Sequence, residues 1–201
     1  MLCPRSISTK KTVSERTMNT MEKKSSYSKK IMILVDIVIL GFLIAADQFI
    51  KYIVVNNLKD KPAFVLIPNV LEFDYLENRG SAFGMLQNQK IFILLVGFIF
   101  MAVIVFLIFK LPEKKKFLAA HIFFSMVVAG GIGNMIDRFR LDYVVDFISF
   151  VLIHFPVFNF ADCCVVIGVF GLFFLFLFVY KENDLEFLKF KQNRYRDMDD
   201  K

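Results

Sequence analysis

The run IFILLVGFIFMAVIVFLIF, residues 91–109, decides the fold of this chain. It holds no charged residue over nineteen positions, close to the roughly 20 residues that an α-helix needs to cross a hydrocarbon core about 30 Å thick. A lipid environment offers the backbone no water, and a helix satisfies its own polar groups. We therefore predict a transmembrane helix over this run.

Three further apolar segments lie on either side of it, at residues 31–55, 117–136 and 160–180. The composition is 57% hydrophobic, with 26 Phe, no Trp and a mean hydropathy of +0.57. These values exclude an ordinary soluble domain, and a disordered chain would be poor in large apolar residues. The predicted fold is an α-helical membrane protein with four transmembrane helices, spanning about 31–55, 91–109, 117–136 and 160–180.

The charge distribution predicts the orientation of these helices. The net charge is +6, and residues 1–30 alone carry eight Lys/Arg against two Glu. Residues 110–116 add four Lys and one Glu. Excess positive charge beside apolar segments indicates the cytoplasmic side, whereas a nucleic-acid-binding protein would spread it over a face. We expect a polar, basic N-terminal tail at 1–30 with no secretory signal, a membrane domain at 31–180 and a charged tail at 181–201, both tails cytoplasmic.

The outer connection between the first two helices has strand character. Phe64–Ile67 is apolar and is followed by the turn signal Pro68-Asn69, after which Leu71, Phe73 and Tyr75 alternate with acidic residues. This period of two is typical of a half-buried strand. A small extracytoplasmic β-sheet is therefore expected.

Polar side chains inside the apolar segments are the candidate functional residues, because they are costly in lipid. Asp47 and Lys51 are spaced i,i+4 and can form an ion pair, whose simplest role is structural. Asn134, Asp137 and Arg138 share one helix face, where an Asp–Arg pair would also be structural.

Two carboxylates stand out beyond these. Asp146 lies among apolar neighbours, and Asp162 opens the fourth helix sixteen residues later, sharing a face with Asn159. If the two meet, they cannot both ionise cheaply, so one proton is shared, as in an aspartic protease. Separate structural carboxylates are the alternative from spacing alone.

Five short motifs then occur in a recognisable order. They are Asp47-Gln48-x-x-Lys51, Asn78-x-Gly80-x-Ala82-Phe83, Gly133-Asn134-x-x-Asp137-Arg138, Val145-Asp146-Phe147 and Phe158-Asn159-x-Ala161-Asp162. In this order, over roughly residues 31–180, the chain resembles the lipoprotein signal peptidase (signal peptidase II) family. The resemblance implies a bacterial plasma-membrane aspartic endopeptidase that removes the signal peptide of prolipoproteins just before a diacylglyceryl-modified cysteine.

The resemblance also implies roles for individual residues. The catalytic pair falls on Asp146 and Asp162. Polar residues around the pair and the substrate fall on Asn78, Gly80, Asn134, Arg138 and Asn159, while Asp47, Lys51 and Asp137 match positions of a more structural kind. The family fold has four helices, a small outer sheet and a short outer helix, with the active site near the extracytoplasmic face. No metal or cofactor is expected, the partners are the lipid-modified prolipoprotein and membrane lipids with no nucleic acid, and the protein is expected to be a monomer.

Two other functions are weighed against this one. A small proton-coupled transporter could use the membrane carboxylates as a relay, although we find no internal repeat of the kind that many transporters have. A structural assembly subunit would tolerate substitution of both acids.

Overall fold

The computed structural model describes residues 29–80 and 89–188. Ala82 and Phe83 of the second motif, and most of the two predicted tails, lie outside these ranges. The described helices are α1 (Lys29–Leu58), α2 (Lys90–Lys110), α3 (Leu118–Leu141) and α4 (Phe160–Phe174). The strands are β1 (Phe64–Ile67), β2 (Leu71–Asn78) and β3 (Val144–Phe150). The four predicted helices and the small sheet are confirmed.

Short helical turns complete the elements. Helix α3 is preceded by a 3-10 turn at Lys115–Phe117, and α4 continues into a π-helical turn at Leu175–Val179. A second 3-10 turn at Val151–Ile153 follows β3, and a third at Glu182–Leu188 follows α4. The ring of Phe117 stacks on Tyr180, so the connection before α3 packs against the end of α4.

The four helices are long and apolar enough to cross a membrane, and the chain is a multi-pass membrane protein. The most hydrophobic is α2, which has a mean hydropathy of 3.4 over its 18 most apolar consecutive residues. Only Met101 and Ile104 of this helix are buried within the chain. Its remaining apolar surface is suited to lipid contact, because lipid tails are as apolar as the side chains and burial within the protein gives no hydrophobic gain.

The sheet lies at one end of the helix bundle and joins the connection between α1 and α2 to the connection between α3 and α4. Its order is β1-β2-β3, and both pairs are antiparallel. Strand β2 comes from the connection between α1 and α2, and β3 from the connection between α3 and α4. The pairing places Asn78 opposite Val144 and Leu76 opposite Asp146, with a register irregularity between Phe73 and Leu76. The strands therefore fix Asp146 beside Asn78.

Two glycines of α3 permit close approach of its neighbours. A Cβ at Gly130 would collide with the carbonyl oxygen of Ala161 in α4, which is backbone and cannot move aside. A Cβ at Gly133 would lie 2.5 Å from a carboxylate oxygen of Asp47 in α1. Small residues at such crossings allow tight packing of membrane helices. They bring the polar side chains of α1, α3 and α4 into contact.

The region that follows residue 136 differs from the sequence prediction in three ways. Helix α3 continues past residue 136 to Leu141, because Asp137 and Arg138 have partners within the protein and do not end the helix. It stops at Asp142, whose left-handed backbone (φ 68°) interrupts the helix. The segment after it forms strand β3, which the sequence did not predict, and the expected short outer helix is the three-residue turn Val151–Ile153.

Candidate active site

A cavity of about 760 Å³ lies where the sheet meets the ends of α3 and α4. Its polar side is formed by Asn78, Asn134, Arg138, Asp146 and Asp162. Its apolar side is formed by residues 155–158 and by Cys163 and residues 165–167 of α4. The two predicted acids thus line one cavity, together with Asn78, Asn134 and Arg138 of the five motifs.

Asp146 is held by two amide side chains. It is 2% exposed, and the first four residues of β3 are all buried. Asn78 donates from Nδ2 to Oδ2 of Asp146 at 2.8 Å, and Asn159 donates from Nδ2 to Oδ1 at 2.6 Å. Both carboxylate oxygens therefore receive an N–H, and the side chain cannot turn without losing a hydrogen bond.

Asp162 is held in a different way, by the start of its own helix. Asn159 is the N-cap of α4, and its side chain accepts from the backbone N–H of Asp162 at 3.0 Å. In return Asp162 Oδ2 accepts from the backbone N–H of Asn159 at 3.1 Å, which completes a capping box. Asn134 donates from Nδ2 to Oδ1 of Asp162 at 2.8 Å. The sequence predicted that Asn159 and Asp162 share a helix face, and in the structure they meet at the N-terminal cap of α4.

Asn159 links the two acids directly. Its Nδ2 donates to Asp146 and also to Oδ1 of Asn134 at 3.1 Å, while its backbone N–H donates to Asp162. It is fully buried. Burial raises the pKa of Asp146 from 3.8 to about 6, and the negative charge of Asp162 adds to the increase, against the opposing hydrogen bonds of Asn78 and Asn159. The negative charge of Asp162 therefore favours the protonated form of Asp146.

Arg138 and Gly80 close the polar side of the cavity. Arg138 donates from Nη2 to the carbonyl oxygen of Gly80 at 2.9 Å. The backbone N–H of Gly80 donates to Oδ1 of Asn78 at 2.9 Å. These bonds fix the chain after β2 and orient the amide that holds Asp146. They also keep a guanidinium close to both acids, which it can stabilise when they are ionised.

Behind the acids lies a buried ion cluster, which we call the Lys51 cluster and which comprises Asp47, Gln48, Lys51 and Asp137. Nζ of Lys51 lies 3.0 Å from Oδ2 of Asp47 and 2.8 Å from Oδ2 of Asp137. Gln48 donates to Oδ1 of Asp137 at 2.9 Å. The i,i+4 ion pair expected on α1 is present, but Asp137 pairs with this lysine instead of with Arg138.

Several participants were missed by sequence reasoning. Gln48 belongs to a motif, yet no role followed from its being polar in an apolar helix. Glu77 lines the cavity, and although partial burial opposes it, hydrogen bonds from Arg79, Tyr75 and Lys59 lower the pKa of this carboxyl. The position of Glu77 next to Asn78 in the sequence was the signal that could have identified it.

Among the described residues, no cluster of His, Cys, Asp and Glu has the make-up of a metal site.

A second buried polar group lies elsewhere in the bundle. Asp36 of α1 accepts from Oγ of Ser125 at 3.0 Å and lies 2.9 Å from Nδ1 of His121, both on α3. Sequence reasoning assigned His121 no partner, because 85 positions separate it from Asp36. Eleven residues separate Asp36 from Asp47, roughly 16 Å along a helix, so this group is remote from the cavity.

Comparisons with known proteins bear on this site. A family model described as signal peptidase (SPase) II matches residues 27–178. The lipoprotein signal peptidase of Caldanaerobacter subterraneus subsp. tengcongensis is 41% identical over 143 residues, covering 71% of this chain and 95% of that protein. Those of Streptococcus thermophilus and Clostridioides difficile are 37% and 39% identical, covering 71% and 66% of this chain and 90% and 87% of theirs.

Two solved structures are similar to the fold. Both are bacterial membrane enzymes whose structures were obtained by the in meso method, at 2.3 and 1.9 Å resolution. The first has a TM-score of 0.66 at 31% identity and covers 76% of this chain and 91% of its own. The second has a TM-score of 0.65 at 30% identity and covers 78% and 98%. The residues matched by the family model, 27–178, include the four helices and the sheet that frame the cavity.

Proposed function

The chain belongs to the signal peptidase II family, and from this premise we propose that Asp146 and Asp162 are its catalytic pair. The enzyme is an aspartic peptidase that cleaves the signal peptides of lipoproteins. We further propose that it cuts just before a cysteine carrying diacylglycerol. The observation that carries the assignment is the bridge made by Asn159, which donates to both acids in one cavity.

The proposed chemistry uses a water molecule between the two carboxyl groups. The ionised acid takes a proton from the water as its oxygen attacks the scissile carbonyl carbon. The protonated acid donates a hydrogen bond to the carbonyl oxygen and stabilises the tetrahedral intermediate. The carbon–nitrogen bond then breaks, and a proton passes to the leaving amine. Asp146, whose pKa lies at about 6, is suited to exchange a proton near neutral pH.

The surrounding amides support this cycle. Each of the four carboxylate oxygens accepts an N–H: from Asn78 and Asn159 on Asp146, and from Asn134 and the Asn159 backbone on Asp162. Such donors favour an ionised acid, whereas burial and the neighbouring negative charge favour a protonated one. Two acids that share one proton require such opposing influences, because one acid must stay ionised while the other stays protonated. We assign Arg138 and Gly80 to holding the substrate backbone beside the pair.

The apolar side of the cavity suits a lipid-bearing substrate. Val166 and Ile167 line the cavity, and each is more than half exposed on the outer surface of α4. The cavity therefore borders the surface that faces lipid, and a substrate can enter sideways with its acyl chains still in the bilayer. Phe155 and Phe158, in edge contact at 5.7 Å between ring centroids, form the opposite apolar side.

We propose the bacterial plasma membrane as the location, with the cavity at its extracytoplasmic face. The sheet and the acids lie at one end of the bundle, and the Lys-rich connection before α3 lies at the other. Excess Lys/Arg marks the cytoplasmic side, which puts the cavity outside. We also propose that the protein acts as a monomer in contact with membrane lipids.

The two competing functions do not fit the comparisons. The chain matches peptidases over 27–178, so a proton-coupled transporter is not supported. A structural subunit would have no need for the hydrogen-bonded acids of the cavity.

The test is cleavage of a diacylglyceryl-modified prolipoprotein by purified enzyme in detergent or nanodiscs. Asp146→Asn and Asp162→Asn are each expected to abolish cleavage while the protein still inserts. Asp142→Asn is the matched control, because Asp142 is exposed beside Lys90 and outside the cavity, and it should cleave at the wild-type rate. Full activity in either of the first two variants refutes the pair.

A further inference from the structure

We propose that Lys51 is a positioning residue for the catalytic pair, acting on both acids through Asp47, Asp137 and Asn134. This inference rests on the proposed function of Asp146 and Asp162 and gives the Lys51 cluster a role beyond stability.

The two carboxylates of the cluster hold the residues that precede the two acids. Oδ1 of Asp47 accepts from the backbone N–H of Ala161 at 3.1 Å, and Ala161 adjoins Asp162. Oδ2 of Asp137 accepts from the backbone N–H of Val145 at 3.3 Å, and Val145 adjoins Asp146.

Both anchors meet at one ammonium group. Lys51 contacts Asp47 at 3.0 Å and Asp137 at 2.8 Å, and it is 3% exposed. Two buried carboxylates would repel each other without the cation between them. The position of Nζ therefore sets how far apart the two anchored backbones lie, and with them the two catalytic carboxyl groups.

A third contact orients an amide of the site. Nζ of Lys51 donates to Oδ1 of Asn134 at 3.0 Å. An ammonium group can only donate, so the oxygen of Asn134 must face Lys51 and the nitrogen must face Asp162. Asn159 also donates to this oxygen, at 3.1 Å, so the orientation of the Asn134 amide depends on Lys51 and Asn159 together.

The charge of Lys51 also reaches the pair. It lowers the pKa of Asp146, as the smallest of the contributions described for that group. The other titratable or charged groups near the pair are Glu77 on β2, Asp137 and Arg138 on α3, Asp47 on α1 and Cys163 on α4.

The decisive variant keeps the net charge of the cluster. Lys51 with Asp47 and Asp137 sums to −1, and so does the same group in Asp47→Asn/Lys51→Met. The amide oxygen introduced at position 47 can still accept from Ala161, so the double variant removes the ammonium without adding buried charge. We expect kcat to fall about 10- to 100-fold, the cost of misplacing reacting groups, with KM within about 3-fold of wild type. The acidic limb of the kcat/KM profile should move to higher pH.

One matched variant separates positioning from stability. Asp36→Asn weakens the other buried polar group joining α1 and α3, and it should change stability alone. If the double variant loses only melting temperature, with kcat within about 2-fold and an unmoved profile, the proposal is overturned.

Should the double variant not insert, Lys51→Arg decides. It keeps the charge, but a planar guanidinium cannot direct its donors as a tetrahedral ammonium does. A fall in kcat of at least about 5-fold with a shifted profile supports positioning, and wild-type kcat and profile overturn it. Activity in Asp146→Asn or Asp162→Asn would instead refute the proposed function, so the two failures are distinguishable.

Discussion

Asp146→Asn should abolish cleavage and at the same time stabilise the protein at neutral pH. Burial raises the pKa of Asp146 from 3.8 to about 6, a difference worth about 3 kcal/mol at about 1.4 kcal/mol for each pKa unit. Because the folded protein binds this proton more tightly than the unfolded chain, the folded state loses that stability as pH rises from about 4 to about 6. Asn carries no charge and avoids the loss.

The substitution also has a cost. Asn78 and Asn159 both present N–H groups to Asp146, so one of them would face the new amide nitrogen. An unmade hydrogen bond of this kind costs about 1–2 kcal/mol. The net expectation is a gain of about 1–2 kcal/mol above pH 7, or roughly 3–6 °C in melting temperature at this size. Below pH 4 only the cost remains, and the variant should melt below the wild type.

The assay is thermal unfolding in detergent from pH 4 to 8, followed by the loss of the helical circular dichroism signal. Asp142→Asn is the control with the opposite trend, because the hydrogen bond from Lys90 lowers the pKa of Asp142 and favours its ionised form at neutral pH. A variant at Asp146 that melts below the wild type at pH 7.5, or a difference that keeps its sign across the range, refutes the reasoning.

Three further variants test the packing and the buried pairs by melting temperature in detergent. Asp47→Asn should cost about 1–3 kcal/mol, because it removes one of the two carboxylates paired with a buried lysine; unchanged stability with lost turnover would contradict this. Gly130→Ala should melt well below Gly41→Ala, since the added Cβ meets backbone in the first case and nothing within 4 Å in the second; equal melting would argue against the close approach of α3 and α4. His121→Leu should be less stable than Asp36→Leu/His121→Leu, because the single change leaves the buried Asp36 without its histidine hydrogen bond, at a cost of about 1–3 kcal/mol; the reverse order would mean that Asp36 does not need this partner.

The sequence was sufficient for the helices because lipid imposes a simple rule on them. Residues 91–109 contain no charged side chain. A run of about twenty apolar residues in a membrane forms a helix because a helix satisfies the backbone hydrogen bonds within the segment itself. Strand β3 was missed for the opposite reason. A seven-residue apolar run such as Val144–Phe150 is compatible with strand or helix until a partner is known, and its partner, β2, lies in a different outer connection.

The site was only partly accessible to the same reasoning. Residues i, i+3 and i+4 of a helix cover an arc of about 100°, wide enough to meet two neighbours. Asn134 and Arg138 line the cavity, whereas Asp137 on the same face turns to Lys51. Spacing along one helix does not say which element lies across from it, and the residues that decide this are 83 to 89 positions away.

The pairing of β2 with β3 makes the placement of Asn78 beside Asp146 depend on whether a shift in register is odd or even. Successive side chains of a strand point to opposite faces, so sliding β2 by one residue would turn Asn78 away from Asp146, while sliding it by two would restore the face. Between Leu76 and Asn78, beyond the register irregularity, insertions of odd and even length should therefore differ in their effect on the contact of Asn78 with Asp146. Engineers who wish to graft, shorten or extend this outer region have freer choice in the turn at residues 68–70, where no such counting applies.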